Sequence, residues 1–425
     1  MRHLAVALLP LLLAAPALAQ ERSLPPADER AGPRESRNSI RNSLRRLRRE
    51  LGIERSMVEA QLRGMLGRRP PAPDWRPRRS GRGRLERGPG GVPILHLEGT
   101  PEEMGRQHGE LLRDEIGALR SYVRDFVGAR RLRQAARRAE ALFAEDIPER
   151  YYREAEALAR AADMPLVELL FAQCFTDIYR VFGCSTLAAE SSTGEGTFLA
   201  RNLDFPTLGY LGRYSLVIVA RPRGRRPFVS IGWPGMLGVL SGQNDALAAA
   251  VLVVHGLEGA RPGLPFQFAF RRVLEECQSV DQAEALLRKT RITVTNNLIV
   301  ADRQGGKRVL ELHPEHISAR GPDAGGLLSA TNHFLHESRR VERFSFTYLN
   351  SRRRLQAVRD TCPAAGPLRL ERARQALDAA STPFTCQSMV FLPRTGALEV
   401  AFSVRGSATK RRFVRLEAEH LLAAR

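Results

Sequence analysis

Lysine is almost absent from this chain. Of 66 basic residues among 425, only Lys289, Lys307 and Lys410 are lysines, and the net charge of +20 is carried by arginine. Beside the alanine-rich background this reads as a coding bias more than a binding surface, although such charge lets a chain approach anionic lipid or polymer. Other absences narrow the field. Aromatic residues are 6% of the chain and no basic stretch is interleaved with them, so nucleic-acid binding is not expected. No glycine-rich phosphate loop or dinucleotide fingerprint occurs, and no cofactor is expected. No apolar run reaches the ~18 residues of a membrane span. His313 and His316, with Glu311 or Glu315, lie close together but lack a defined fourth ligand, so they are read as surface histidines and no metal site is expected. No repeat of fixed period is present.

What is there begins with a secretory signal. Arg2 and His3 precede an apolar run from Leu4 to Ala15, and Ala17-Leu18-Ala19 is a small-x-small cleavage site. Residues 1–19 are therefore expected to be removed on export to the periplasm or the extracellular space. Residues 20–91 are basic and rich in Pro and Arg. Ile40, Leu44, Leu47, Leu51, Val58, Leu62 and Met65 mark one amphipathic helix in this stretch. Residues 67–91 read as a linker, with possible use of the whole extension in touching an anionic surface. The folded body is expected over 92–425.

The most informative segment lies inside that body. Phe182-Gly183-Cys184-Ser185-Thr186-Leu187-Ala188-Ala189 and Phe198-Leu199-Ala200-Arg201-Asn202-Leu203-Asp204-Phe205 flank a Ser/Thr/Gly turn, which is a hairpin signal. One arm starts with a thiol and the other returns an Arg-Asn-Leu-Asp cluster. A thiol needs a base or a lowered pKa to attack. A cysteine at a chain terminus carries its own base, an α-amine that titrates near ~8. Gly183 has no Cβ, so the bond ahead of the thiol is open to attack at close range. Arg201 would hold anionic character at the sulfur, and Asp204 would bond the new amine. The pair is expected to act with Cys184 as one unit, so that its loss costs turnover and little folding. The bland alternative is a buried cysteine beside a surface ion pair of Arg201 and Asp204.

This arrangement resembles the cysteine branch of the Ntn hydrolases, in particular the isopenicillin N acyltransferase-like group, with choloylglycine hydrolases as relatives. Further segments match the group in order. Glu103-Met104-Gly105-Arg106-Gln107-His108-Gly109 resembles its opening helix, Gly242-Gln243-Asn244-Asp245 a turn between strands, and Thr331-Asn332-His333 a segment after a strand. The resemblance runs from about residue 92 to 415. It implies an α+β fold, a four-layer αββα sandwich, here with an N-terminal helical extension. It also implies self-cleavage between Gly183 and Cys184, with Cys184, Arg201, Asp204 and Asn332 as catalytic residues. Asn332 is expected to face a developing oxyanion. Asn202, Asn244, His255 and His333 are candidates for substrate or oxyanion contacts, although Asn244 also suits an Asx-type turn.

The chemistry expected is hydrolysis of a linear amide, N-acyl or aminoacyl, through a thioester on Cys184, with a small-molecule amide or acyl compound as substrate. Three alternatives stand beside it: an acyltransferase using the same acyl-enzyme, an uncut basic binding protein, or a hydrolase using a distant His such as His333. The other cysteines, Cys174, Cys277, Cys362 and Cys386, allow several pairings, of which Cys362–Cys386 spans a helix-like segment.

Overall fold

The computed structural model describes residues 71–127, 129–178, 183–205, 210–254, 261–336, 346–362 and 366–422. The expected signal, the helix over 40–65 and His255 lie outside the described residues.

The body starts earlier than the composition suggests. β1 (Arg78–Ser80) and β2 (Gly83–Arg87) lie within the expected linker, and β2 pairs antiparallel with β3 (Pro93–Gly99) from Arg84↔His96 to Arg87↔Pro93. Gly83 and Leu85 point inward while the arginines between and around them are partly exposed, a two-residue period hidden by the arginine content. Trp75 is buried edge-on against Tyr214.

Helices follow. α1 (Pro101–Leu111) opens on a complete capping box: the Thr100 hydroxyl accepts from Glu103 N at 3.2 Å, and the Glu103 carboxylate accepts from Thr100 N at 2.7 Å. The helix expected to continue to Val123 breaks at Leu112, and α2 (Arg113–Val127) restarts it. α3 (Ala129–Phe143), α4 (Glu149–Ala161) and α5 (Leu166–Ile178) complete the run. Gly105 and Gly109 let α1 lie directly on α4: a Cβ on Gly105 would run into the Glu154 carbonyl, and one on Gly109 would sit 2.7 Å from Leu158 O.

β4 (Gly183–Glu190) and β5 (Thr197–Asp204) form the expected hairpin, followed by the short α6 (Tyr210–Arg213), β6 (Leu216–Pro222) and β7 (Phe228–Gly232). The strand expected over 235–241 is absent. Gly235 has φ +83°, and the chain re-enters the sheet at β8 (Ser241–Asn244), then β9 (Leu247–Val253). The helix expected over 266–289 is two, α7 (Phe266–Glu276) and α8 (Val280–Arg288). Next come β10 (Asn296–Asp302), β11 (Lys307–His313), β12 (His316–Arg320) and β13 (Leu328–Ala330). The chain ends with α9 (Phe346–Thr361), α10 (Leu370–Ala379), β14 (Thr385–Leu392), β15 (Ala397–Phe402) and β16 (Val414–Leu416).

These strands make two sheets, in the orders β1-β2-β3-β6-β7-β8-β9-β10-β11-β12 and β13-β4-β5-β14-β15-β16. Their faces meet where β4 and β5 lie over β9, β5 over β10, and β8 against β14. α7 and α8 cover the large sheet, and α9 and α10 cover the small one. The order of layers is therefore helix, sheet, sheet, helix, the αββα sandwich implied by the sequence resemblance. The main core fills the space between the sheets, and Cys184 is part of it.

Candidate active site

Cys184 is the second residue of β4 and is 1% exposed. Its strand pairs with β5 in the register Gly183↔Asp204, Cys184↔Leu203, Ser185↔Asn202 and Thr186↔Arg201. Directly opposed residues share a face, so this register divides the cluster. Cys184, Arg201 and Leu203 face the large sheet. Gly183, Ser185, Asn202 and Asp204 face α9 and α10.

Arg201 is fully buried. Its Nη2 donates to Cys184 Sγ at 3.2 Å and to Val251 O at 2.7 Å, and its Nη1 donates to Leu240 O at 2.8 Å and to Ser241 Oγ. Its partners besides the thiol are neutral oxygens. They fix the guanidinium without cancelling its charge, which is left to act on the sulfur. The surface ion pair with Asp204 considered from the sequence does not exist.

Asn332 meets the same cysteine at its other reactive atom. The Cys184 backbone N donates to Asn332 Oδ1 at 2.8 Å, while Asn332 Nδ2 donates to Val253 O at 2.7 Å. Asn332 Oδ1 is therefore the acceptor for the Cys184 nitrogen, and its Nδ2 spends one of its two N–H donors on Val253 O. Arg354 completes this corner. It sits on α9 and donates through Nη2 to Asn332 Oδ1 at 2.6 Å and through Nη1 to Ser185 Oγ at 2.9 Å and to Cys184 O.

Asp204 approaches from the helix side. Oδ1 accepts from Thr385 Oγ1 at 2.5 Å, and Oδ2 is buried with no hydrogen-bond partner. A Cβ on Gly183 would lie 2.8 Å from that free oxygen. Burial pushes the Asp204 carboxyl up, opposed by the charge of Arg354 and the Thr385 hydrogen bond. In the joined chain the Cys184 nitrogen donates to Asn332, and Asp204 faces Gly183, the residue on the other side of the same peptide link.

The remaining candidates have structural partners. Asn202 donates to Leu377 O at 2.6 Å and accepts from Ser388 Oγ at 2.8 Å, tying β5 to α10 and β14 on the face away from the thiol. Asn244 closes the β8–β9 turn by accepting from Ala246 N and Leu247 N, both at 2.8 Å, and holds the end of α7 through Leu274 O and Cys277 O. Both side chains are committed to these structural bonds. His333 engages the Ser351 hydroxyl at 2.8 Å and Thr331 Oγ1 at 3.2 Å. Burial, with Arg352, Arg354, Arg320 and Arg359 around it, lowers its pKa to about 4, so it is neutral. His108 accepts from Gly235 N at 2.9 Å, and burial beside Arg271 lowers it to about 3. All five cysteines are free and buried, so the Cys362–Cys386 bridge does not form. Burial drives Cys174, Cys277, Cys362 and Cys386 upward, Cys277 to about 12.

Cys184, Arg201 and Asn332 thus come together from β4, β5 and the segment after β13. The sequence reading missed Arg354. It is the last residue of the run Arg352-Arg353-Arg354, and only helix phase separates it from its exposed neighbours.

Residues 191–385 match the family described as acyl-coenzyme A:6-aminopenicillanic acid acyl-transferase. The matched stretch begins after Cys184 and takes in Arg201, Asp204, Asn332 and Arg354. The chain is 24% identical over 248 residues to protein dcd1A of Dictyostelium discoideum, covering 50% of this chain and 54% of that protein. It is 25% identical over 256 residues to the 40 kDa form of acyl-coenzyme A:6-aminopenicillanic-acid-acyltransferase of Emericella nidulans, covering 57% and 70%. The chain thus spans only about half the length of the first of these relatives. The solved Caenorhabditis elegans ortholog of N-acylethanolamine-hydrolyzing acid amidase aligns with TM-score 0.38 at 18% identity, covering 50% of this chain and 93% of that one. The resemblance to isopenicillin N acyltransferase-like Ntn hydrolases drawn from the sequence is borne out by the family match.

Proposed function

We propose that this chain is an exported cysteine amidase that cuts itself between Gly183 and Cys184 and then cleaves a linear N-acyl or aminoacyl amide through a thioester. One observation carries the proposal: the two atoms of Cys184 that such chemistry needs, its sulfur and its nitrogen, are each held by a dedicated buried side chain, Arg201 at 3.2 Å and Asn332 at 2.8 Å.

In self-cleavage the Cys184 sulfur bonds to the Gly183 carbonyl carbon. The bond from that carbon to the Cys184 nitrogen breaks, and the nitrogen takes the proton given up by the thiol. Water then adds to the thioester and the carbon–sulfur bond breaks. This leaves a Gly183 carboxylate, a free thiol and a free α-amine. In turnover that amine accepts the thiol proton, the thiolate attacks the substrate carbonyl, and the leaving amine departs with a proton. Water releases the acyl group. Arg201 Nη2 holds the sulfur in place, and Asn332 Oδ1 keeps the nitrogen oriented beside it.

The signal-like residues 1–19 support export to the periplasm or beyond, where acyl-coenzyme A is scarce and water is the available acceptor. Acyl transfer is the second reading, favoured by the description of the matched family. Both share the acyl-enzyme and differ in the acceptor. The test is to incubate the purified protein with a panel of N-acyl amides, with and without an added amine. Free carboxylic acid as the dominant product supports the amidase; new amide formed at millimolar amine in preference to acid supports the transferase. Loss of neither in Cys184→Ala removes the proposal.

A further inference from the structure

The segment that carries Asn332 is held by a pair of side chains on the facing sheet. Asn297 and Glu311 are direct cross-strand partners in β10 and β11. Both are buried and, being opposed, lie on one face of the sheet. Asn297 Nδ2 donates to Thr331 O at 3.0 Å and to His333 O at 2.9 Å, the carbonyls immediately before and after Asn332. Glu311 does the converse three residues on: Oε1 accepts from Leu335 N at 2.7 Å and Oε2 from His336 N at 3.1 Å. One amide thus satisfies two backbone acceptors, and one carboxylate satisfies two backbone donors. The segment over 331–336 has no regular secondary structure of its own to do so.

We infer that Asn297 and Glu311 are positioning residues for Asn332, clamping its backbone from the large sheet so that its amide oxygen stays on the nitrogen of Cys184. This deepens the proposed function and rests on it for its catalytic consequence. Two further contacts fit the inference. Asn332 N donates to Ser351 Oγ at 2.8 Å, which fixes the backbone from α9. Asn332 Nδ2 donates to Val253 O at the end of β9, the strand that also pairs with β10. The amide plane of Asn332 is thereby referenced to the same sheet that holds its main chain. A shift of the clamp moves the acceptor relative to the nucleophile. Displacement of a reacting group by about 1 Å costs on the order of 10²-fold in rate.

The clamp also gives the Glu311 carboxylate a role that its neighbourhood in sequence did not suggest. It is 2% exposed, ion-paired with Arg320 at 3.5 Å, and accepts from the backbone N–H groups of Leu335 and His336.

The experiment compares Asn297→Asp and Glu311→Gln with Asn244→Asp. Asn244, in the same sheet, also gives its amide nitrogen to two backbone carbonyls, Leu274 O and Cys277 O at the end of α7, so its variant reports a structural loss of the same kind. Asn297→Asp is expected to slow both cleavage at 183–184 and turnover by roughly 10²-fold with KM close to wild type. Glu311→Gln, which keeps one acceptor, is expected to have a smaller effect of the same form. Asn244→Asp is expected to lower the melting temperature without changing kcat well below that temperature. Hydrogen–deuterium exchange in the uncut Cys184→Ala background supplies a readout independent of activity. Loss of protection confined to the peptide over 331–336 in Asn297→Asp and in Glu311→Gln supports the clamp. Wild-type rates in both variants, or loss of protection spread evenly over the molecule, overturns it. If wild-type protein is neither cut nor active, the proposed function fails, and the exchange result still decides whether the pair holds this segment.

Discussion

Gly183 and Asp204 are direct cross-strand partners, and the space between them admits no side chain. A Cβ on Gly183 would lie 2.8 Å from the Asp204 oxygen that has no hydrogen-bond partner. The residue ahead of Cys184 is thus small because a buried carboxyl lies against it. Gly183→Ala is expected to displace Asp204 and slow cleavage at 183–184 at least tenfold, measured by intact mass over time; Asp204→Ala in the same chain, by making room, is not expected to restore it, because the carboxyl itself is lost from the site. Cleavage of Gly183→Ala at the wild-type rate would show that this contact does not govern the reaction.

Arg201 has a double role that the sequence did not reveal. The expectation was an effect on turnover with little on folding. Its guanidinium also satisfies Leu240 O and Val251 O between the sheets. Arg201→Ala leaves Val251 O without its guanidinium donor, while Leu240 O keeps its bond from Val251 N, and is expected to cost roughly 1–3 kcal/mol of stability as well as the activity. Arg201→Lys is expected to restore part of the stability and none of the activity, because one ammonium cannot replace the planar fork. Denaturant melts beside turnover check this; an active Arg201→Lys would contradict it.

How much of this was legible follows from where the information sits. The hairpin over 184–205, the capped helix at Thr100 and the turn at Asn244 are local, and each was readable from residues within a few positions. The two-residue alternation along β5 was also readable: it places Arg201 and Asp204 on opposite faces, so one cluster in sequence becomes two in space. β1 and β2 were hidden because arginine dominates them, and because only Gly83 and Leu85 of β2 turn inward. Arg354 was not legible. Its contact with Asn332 Oδ1 depends on how α9 crosses the small sheet, which no local pattern encodes.

Three of the four buried histidines among the described residues contribute to the acid limb of stability. His333 and His96 are lowered to about 4 and His108 to about 3, in each case mainly by burial. Their unfolded values lie near ~6.5. The unfolded chain binds more protons between these limits, so this stabilisation is complete above about 6.5 and is lost progressively as pH falls toward 4 and then 3. Asp204 and Glu154, raised by burial, act in the opposite sense. The melting temperature is expected to fall from pH 7 to pH 4, and His108→Gln is expected to flatten that slope. An unchanged slope would remove His108 from the account.

Residues 1–70 are expected to be dispensable for chemistry, whereas a chain starting near Gly90 would lose β1, β2 and Trp75 and melt at a lower temperature. A chain starting at Pro71 should cut itself and turn over substrate normally, while losing any salt-sensitive binding to anionic vesicles. Vesicle sedimentation at low and high salt checks the second half. Equal binding by the shortened chain would place the surface contact, if any, on the body.

The central claim is that Cys184 becomes a chain terminus by its own action. Intact-mass analysis of purified wild-type protein and of Cys184→Ala, with N-terminal sequencing of the fragments, tests it directly. The account predicts a wild-type fragment beginning at Cys184 and an unbroken, inactive Cys184→Ala chain. A wild-type chain that hydrolyses amides while still joined at Gly183–Cys184, or a Cys184→Ala chain cut at that bond, would contradict it.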